Sequence, residues 1–191
     1  MSPNSTQSPK RDLLMDCAKR LFAADGFHAT GIDRIIDEAG VAKMTLYNNF
    51  GSKDQLIADV LDRASESLMA TMRGWIAASN DPYDQIMLLF DGFGAMFENP
   101  EQCGCIIQAA AAEFSDPESV VGLAVQRHHE RANAILTELT SATECQDPQS
   151  LAAQIGLLLA GTQCAARVRR CRAPAEEGKR AAAVLLEHAC S

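Results

Sequence analysis

Four times in this chain an Asp or Asn stands directly before a proline: Asp81-Pro82, Asn99-Pro100, Asp116-Pro117 and Asp147-Pro148. Each pair precedes an apolar stretch, and that order marks a helix start. The capping side chain accepts an orphan N–H, while proline in the first turn gives up a bond that no helix makes there. With Pro174 opening a last helix behind a poorer cap at Ala173, the punctuation predicts helices over 82–98, 101–114, 117–143, 148–171 and 174–190. Glu101, Glu118, Glu176 and Glu177 fall in first turns, where the helix dipole favours negative charge. Composition points the same way, because Ala (31) and Leu (18) far outnumber Val and Ile together (17). Hydrophobic residues at 47% are enough to bury a sizeable core and exclude disorder of the whole chain. There is no strand-like alternation and no internal repeat.

The first half breaks into shorter pieces. Leu13/Cys17/Leu21 and Leu14/Ala18/Phe22 are two i, i+4 rows of an amphipathic helix that stops at Gly26. Thr30-x-x-Asp33 reads as a capping box opening a short helix with Ile32, Ile35, Ile36 and Ala39 on one face and its end at Gly40. A third helix, Lys43 to Phe50, turns only Leu46 and Phe50 inward and ends at Gly51. Ser52-x-x-Gln55 then caps a long fourth helix striped by Ile57, Val60, Leu61, Ala64, Leu68, Met69 and Met72. Two short helices joined through Glu38-Ala-Gly-Val-Ala42 have the layout of a helix-turn-helix. Lys43, Thr45, Tyr47, Asn48 and Asn49 remain for the outer side of the second, and these types suit phosphates and base edges. Lys53 stands in the first turn of the next helix, where backbone N–H groups already favour an anion. A net charge of −8 argues against nucleic acid as a partner, but its distribution does not. Residues 1–55 carry seven basic and seven acidic residues, and residues 56–191 carry ten and eighteen.

The continuous run Leu21-Phe22…Gly26-Phe27-x-x-Thr30-x-x-Asp33-x-Ile35…Ala39-Gly40-Val41-Ala42-Lys43-x-Thr45-Leu46-Tyr47-x-x-Phe50-x-Ser52-Lys53-x-x-Leu56 resembles the signature of the TetR family of bacterial transcriptional regulators. The resemblance implies an all-α chain of about nine helices. A flexible tail (1–9) would lead into a three-helix DNA-binding domain (10–52), followed by a larger helical domain (53–191) that dimerises and binds a small effector. It also implies repression of a palindromic operator, relieved by that effector, in the bacterial cytoplasm. The family's recognition and phosphate positions fall on Lys43, Thr45, Tyr47, Asn48, Asn49 and Lys53, with Thr30 at the cap of the preceding helix. Ala42, Met44 and Asn49 depart from the commonest pattern, which has Ser, Gly and an aromatic or His at these positions.

The second half offers candidates for the remaining roles. Met69, Met72, Trp75, Phe90, Phe93 and Phe97 suit a hydrophobic core first, and as the alternative the wall of an adaptable apolar cavity for a largely apolar effector. Glu113, His128, Asn133 and Gln163 are the polar residues placed to orient such a ligand. The last two helices carry Ile155, Leu158, Leu159, Val184 and Leu185 on apolar faces, with small residues among them, and are the candidate dimer bundle. Cys103-Gly-Cys105 and His128-His129 lack the second pair or the frame that a metal site needs, so no metal is expected, and thiol sensing by Cys103 and Cys105 stays open. The basic run Arg167–Arg172 ends a helix near Glu176 and Glu177, which are close enough to pair with it. An enzyme is not expected, because there is no phosphate-binding glycine loop and no nucleophile elbow. No apolar run approaches a membrane span, and the first residues are not a secretory signal.

Overall fold

A computed structural model describes residues 9–98 and 106–190. Within them lie α1 (Pro9–Asp25), α2 (Ile32–Ala39), α3 (Lys43–Phe50), α4 (Lys53–Ile76), α5 (Pro82–Glu98), α6 (Ile106–Glu113), α7 (Val120–Ser141), α8 (Pro148–Arg169) and α9 (Ala173–Ala189). The chain is all-α, as its composition and caps predict. The Asn99-Pro100 cap, the first residues of the 101–114 helix, the Cys103/Cys105 pair and most of the 1–9 tail lie outside the described residues.

Capping chemistry explains most of the boundaries. Asp147 accepts from Ser150 N at 3.0 Å with Pro148 in the first turn of α8, and Asp81 accepts from Asp84 N at 3.0 Å at the head of α5. Ser52 accepts from Gln55 N at 3.1 Å, but the Gln55 amide turns to Asp59 at 2.8 Å, so only half of that capping box forms. Two expected caps are replaced. The Asp116 carboxylate accepts from Glu118 N inside a turn, and Ser119 instead caps α7 by accepting from Gly122 N at 3.0 Å. A Cβ at Gly122 would stand 2.3 Å from the Asp116 carbonyl, so this turn closes only over glycine. At α2 the cap residue is Gly31, with no side-chain bond. Thr30 is fully buried and donates to Gly26 O at 2.7 Å, serving a carbonyl that follows the end of α1 rather than the start of α2.

The described chain forms two compact units that are discontinuous in sequence. The first contains residues up to 65 together with 106–128; the second contains 66–98 and 129–190. A single boundary at 52/53, as read from the sequence, separates the three short helices but misses what packs with them. The first part of α4, α6 and the start of α7 belong to the same unit as α1–α3.

The first unit is built on Leu14, Phe22, Phe27, Ile35, Leu46, Leu56 and Leu61, all buried, with Phe22 and Phe27 stacked at 4.9 Å. Each such side chain contributes about 1.5–3 kcal/mol on burial. The second unit centres on α5, whose Ile86, Leu89, Phe90 and Phe93 are buried. Glycines let neighbouring helices approach it. A Cβ on Gly92 would meet the Trp75 ring at 2.2 Å, and one on Gly178 would meet Thr162 Oγ1 at 2.2 Å and the Phe90 ring at 3.1 Å. Lys179 of α9 pairs with Asp91 of α5 at 2.7 Å. At the end of α8, Arg169 pairs with Glu177 at 3.1 Å, and Arg172 pairs with Glu176 at 2.8 Å, as the spacing suggests. By length and composition alone α8 is apolar enough to cross a membrane, contrary to the sequence expectation. Packing takes up part of that composition: Leu151, Ala152, Ile155, Leu159 and Ala166 face the core, while Leu157 and Val168 face outward.

Candidate nucleic-acid interface

The geometry of α3 follows from two anchors. Leu46 and Phe50, four residues apart, are buried in the first unit, and the Arg11 guanidinium lies 4.8 Å over the Phe50 ring. Gly40 (φ +62°) ends α2 and Gly51 (φ +75°) ends α3, a backbone region costly to other residues. With 46 and 50 inward, a 100° turn per residue sends 44 and 48 directly outward and 47 to the flank, while 43 falls on the inner side but at the first position of the helix. Lys43, Met44, Tyr47 and Asn48 are exposed, and Thr45 and Asn49 are half-buried.

These side chains are not equally available. The Asn49 amide donates to Thr45 O at 2.7 Å, so it is tied to its own helix. Lys43 reaches back to Asp33 on α2 at 2.8 Å; that carboxylate, by hydrogen bond and then by charge, holds the ammonium above its usual range. Lys53 is half-buried and donates to Phe27 O at 2.7 Å, so this charge also steadies the turn after α1. Thr30, read as a DNA contact, has its side chain buried, which excludes it from a phosphate contact through the hydroxyl. Other cations of this region are paired as well: Arg20 with Glu38, Arg34 with Asp25 at 2.7 Å, and Arg11 with Asp59. Arg20, Arg34 and Lys43 are thus held in ion pairs within residues 1–55, and Arg11 in one with α4.

Glu113, expected to orient a ligand, does something else. From the end of α6 its carboxylate accepts Phe27 N at 3.0 Å and His28 N at 3.0 Å, while the His28 ring donates to Glu113 O at 3.0 Å. Phe114 adds an edge contact to Phe27 at 5.7 Å. The turn that leads from α1 into the helix-turn-helix is therefore clamped by a segment 86 residues away. No local pattern announces such a contact.

Residues 14–60 match the family model described as "Bacterial regulatory proteins, tetR family". That stretch runs from α1 through α3 into α4, the elements just described. This stretch carries the TetR-family signature. Among curated relatives it is 32% identical over 93 residues to the transcriptional activator FasR of Mycolicibacterium smegmatis, covering 49% of this chain and 42% of that one. It is 29% identical over 118 residues to the repressor KstR2 of the same species, covering 61% and 58%. The matched segments thus span about half the length of these relatives. A solved TetR-family regulator of Streptomyces coelicolor, SCO4454, superposes with a TM-score of 0.87 at 28% identity, covering 95% of this chain and 96% of that one. All three are named as transcriptional regulators, and the matched family model spans the helix-turn-helix described above.

The second unit holds most of the other candidates. Met69, Met72, Phe90, Phe93 and Phe97 belong to one buried cluster, with Trp75 packed edge-on to Phe93 at 5.1 Å. Gln163 is half-buried and Asn133 is exposed, so Asn133 does not face this cluster. His128 is buried in the first unit, sharing a 3.0 Å hydrogen bond with Ser65. Glu113 and His128 thus belong to the first unit, and the Met and aromatic set to the second. Of the expected dimer residues, Ile155 and Leu159 are buried in the chain's own core, which removes them from an interface. Leu158 and Leu185 pack against that core half-buried, and Val184 is exposed. The sequence reading missed Leu157 and Val168, which with Val184 are 75%, 79% and 65% exposed.

Proposed function

We propose that this regulator is a homodimeric repressor of a palindromic operator, released by a largely apolar small molecule in the bacterial cytoplasm. The observation that carries the DNA reading is α3: a helix pinned by Leu46 and Phe50 that turns Lys43, Met44, Tyr47 and Asn48 outward together. Two copies held at a fixed separation read half-sites about one helical turn apart, or a multiple of it. Homodimerisation is supported by Leu157, Val168 and Val184, large apolar side chains on α8 and α9 exposed in the single chain. Leu158 and Leu185 flank them. Effector binding is supported by the adaptable Met and aromatic packing around Met69, Met72 and Phe93, with Trp75, Phe90, Phe97 and Gln163 in the same unit. Release is then a shift toward a dimer whose recognition helices no longer match the groove spacing.

A footprint of the purified protein on its own promoter tests the reading. A protected inverted repeat, lost as salt rises, is the expected result. No protection at low salt would overturn it. Deleting the gene in a reporter strain decides the direction of control: repression predicts rising expression, and a fall would make the protein an activator. A thermal-shift screen of apolar metabolites, followed by release of operator DNA, tests the effector.

A further inference from the structure

Met44 has no place in a phosphate contact, yet it is 65% exposed in the middle of the outward face of α3. Its neighbours on that face are Tyr47, three residues on, and Asn48, four residues on. Lys43 is held by Asp33, and Asn49 is tied to Thr45 O. Met44, Tyr47 and Asn48 are therefore the exposed side chains that reach a base edge without first giving up one of these bonds, with half-buried Thr45 beside them. A thioether is flexible and apolar and has no donor. In the major groove, the apolar group on a base edge is the 5-methyl of thymine; the other groups there are hydrogen-bond donors and acceptors.

We propose that Met44 is a specificity-determining residue that reads a thymine methyl in each half-site; this rests on the reading of α3 as the helix that enters the major groove. The spacing along the helix places that thymine relative to the base read by Asn48. Four residues rise about 6 Å, and successive base pairs are about 3.4 Å apart. The thymine therefore lies one to two base pairs from the base that Asn48 meets, for which adenine is the bidentate partner of an amide. Met44 sets which base stands at that step, and Lys43 sets how tightly any DNA is held.

The test uses the full-length protein and an operator enriched from a random duplex pool. Each thymine in the enriched site is replaced in turn by deoxyuridine, which removes only the methyl. Wild type is expected to lose about fourfold in affinity at one thymine per half-site, the loss for burying one methyl fewer. Met44→Ala and Met44→Gln, exposed substitutions that leave the core intact, should bind the thymine and deoxyuridine duplexes equally. If no position responds to loss of its methyl, or if the response persists in Met44→Ala, the assignment is overturned while DNA reading by α3 stands. If the pool enriches no sequence and the protein binds no duplex at low salt, α3 is not a DNA-reading helix and the role of Met44 falls with it.

Discussion

A lysine and a neutral amide on one short helix make different kinds of contact with DNA. Lys43→Ala should weaken binding on every duplex and lower the salt slope by about one unit. Asn48→Ala should cost roughly 1–3 kcal/mol on the operator and almost nothing on random DNA. Competition of operator against random duplex at two salt concentrations separates the two. Because Asp33 competes for the Lys43 ammonium, Asp33→Asn is expected to tighten random-duplex binding and steepen the salt dependence. Lys53 behaves differently from Lys43, since its ammonium also serves Phe27 O: Lys53→Ala should lower the melting temperature as well as the affinity. Glu113 is the clearest structural residue of the first unit. Its carboxylate holds two backbone N–H groups, and bonds to a charged acceptor are worth about 1.5–3 kcal/mol each. Glu113→Ala should cost on that order in denaturant unfolding and raise hydrogen exchange at Phe27 and His28. Unchanged exchange there would show that the turn holds without the clamp.

At the scale of elements, stability rests on how closely helices approach. Gly92 accepts the face of Trp75, and Gly178 lets α9 sit against Thr162 and Phe90. A methyl at either site meets atoms at 2.2 Å, so Gly92→Ala and Gly178→Ala should each destabilise the second unit. Overpacking of this kind costs typically about 1–3 kcal/mol, even though alanine favours the helix itself. Calorimetry should show a lowered transition with helix content retained. A rise in melting temperature would mean that the contacts relax freely. Gly161, with no neighbour near its Cβ position, is the control: Gly161→Ala should gain helix propensity without a clash.

The whole molecule carries its net charge unevenly, with residues 1–55 balanced and the remainder acidic. The acidic remainder repels DNA, which favours contact through the helix-turn-helix over contact elsewhere. Assembly is decided on α8 and α9. Leu157→Glu with Val184→Glu should give a monomer in sedimentation at micromolar concentration and abolish operator binding, while leaving the fold intact because both side chains are exposed. A dimer that survives both charges would place the interface elsewhere.

The sequence by itself determined what depends on neighbours within a few residues. Asp147-Pro148 starts a helix, Gly40 and Gly51 end one, and the i, i+4 pair Leu46/Phe50 decided which side of α3 faces out. Tertiary structure decided what depends on the path of the chain. The carboxylate of Glu113 serves N–H groups 86 and 85 residues away, and the hydroxyl of Thr30 is claimed by a carbonyl after α1 instead of capping α2. On α8 the apolar residues are too many for one face. Periodicity alone does not say that Ile155 and Leu159 go to the chain's own core while Leu157 and Val168 are left outside. A helix fixes the angles between its side chains through local hydrogen bonds, but its rotation about its own axis is set only by the helices it packs against.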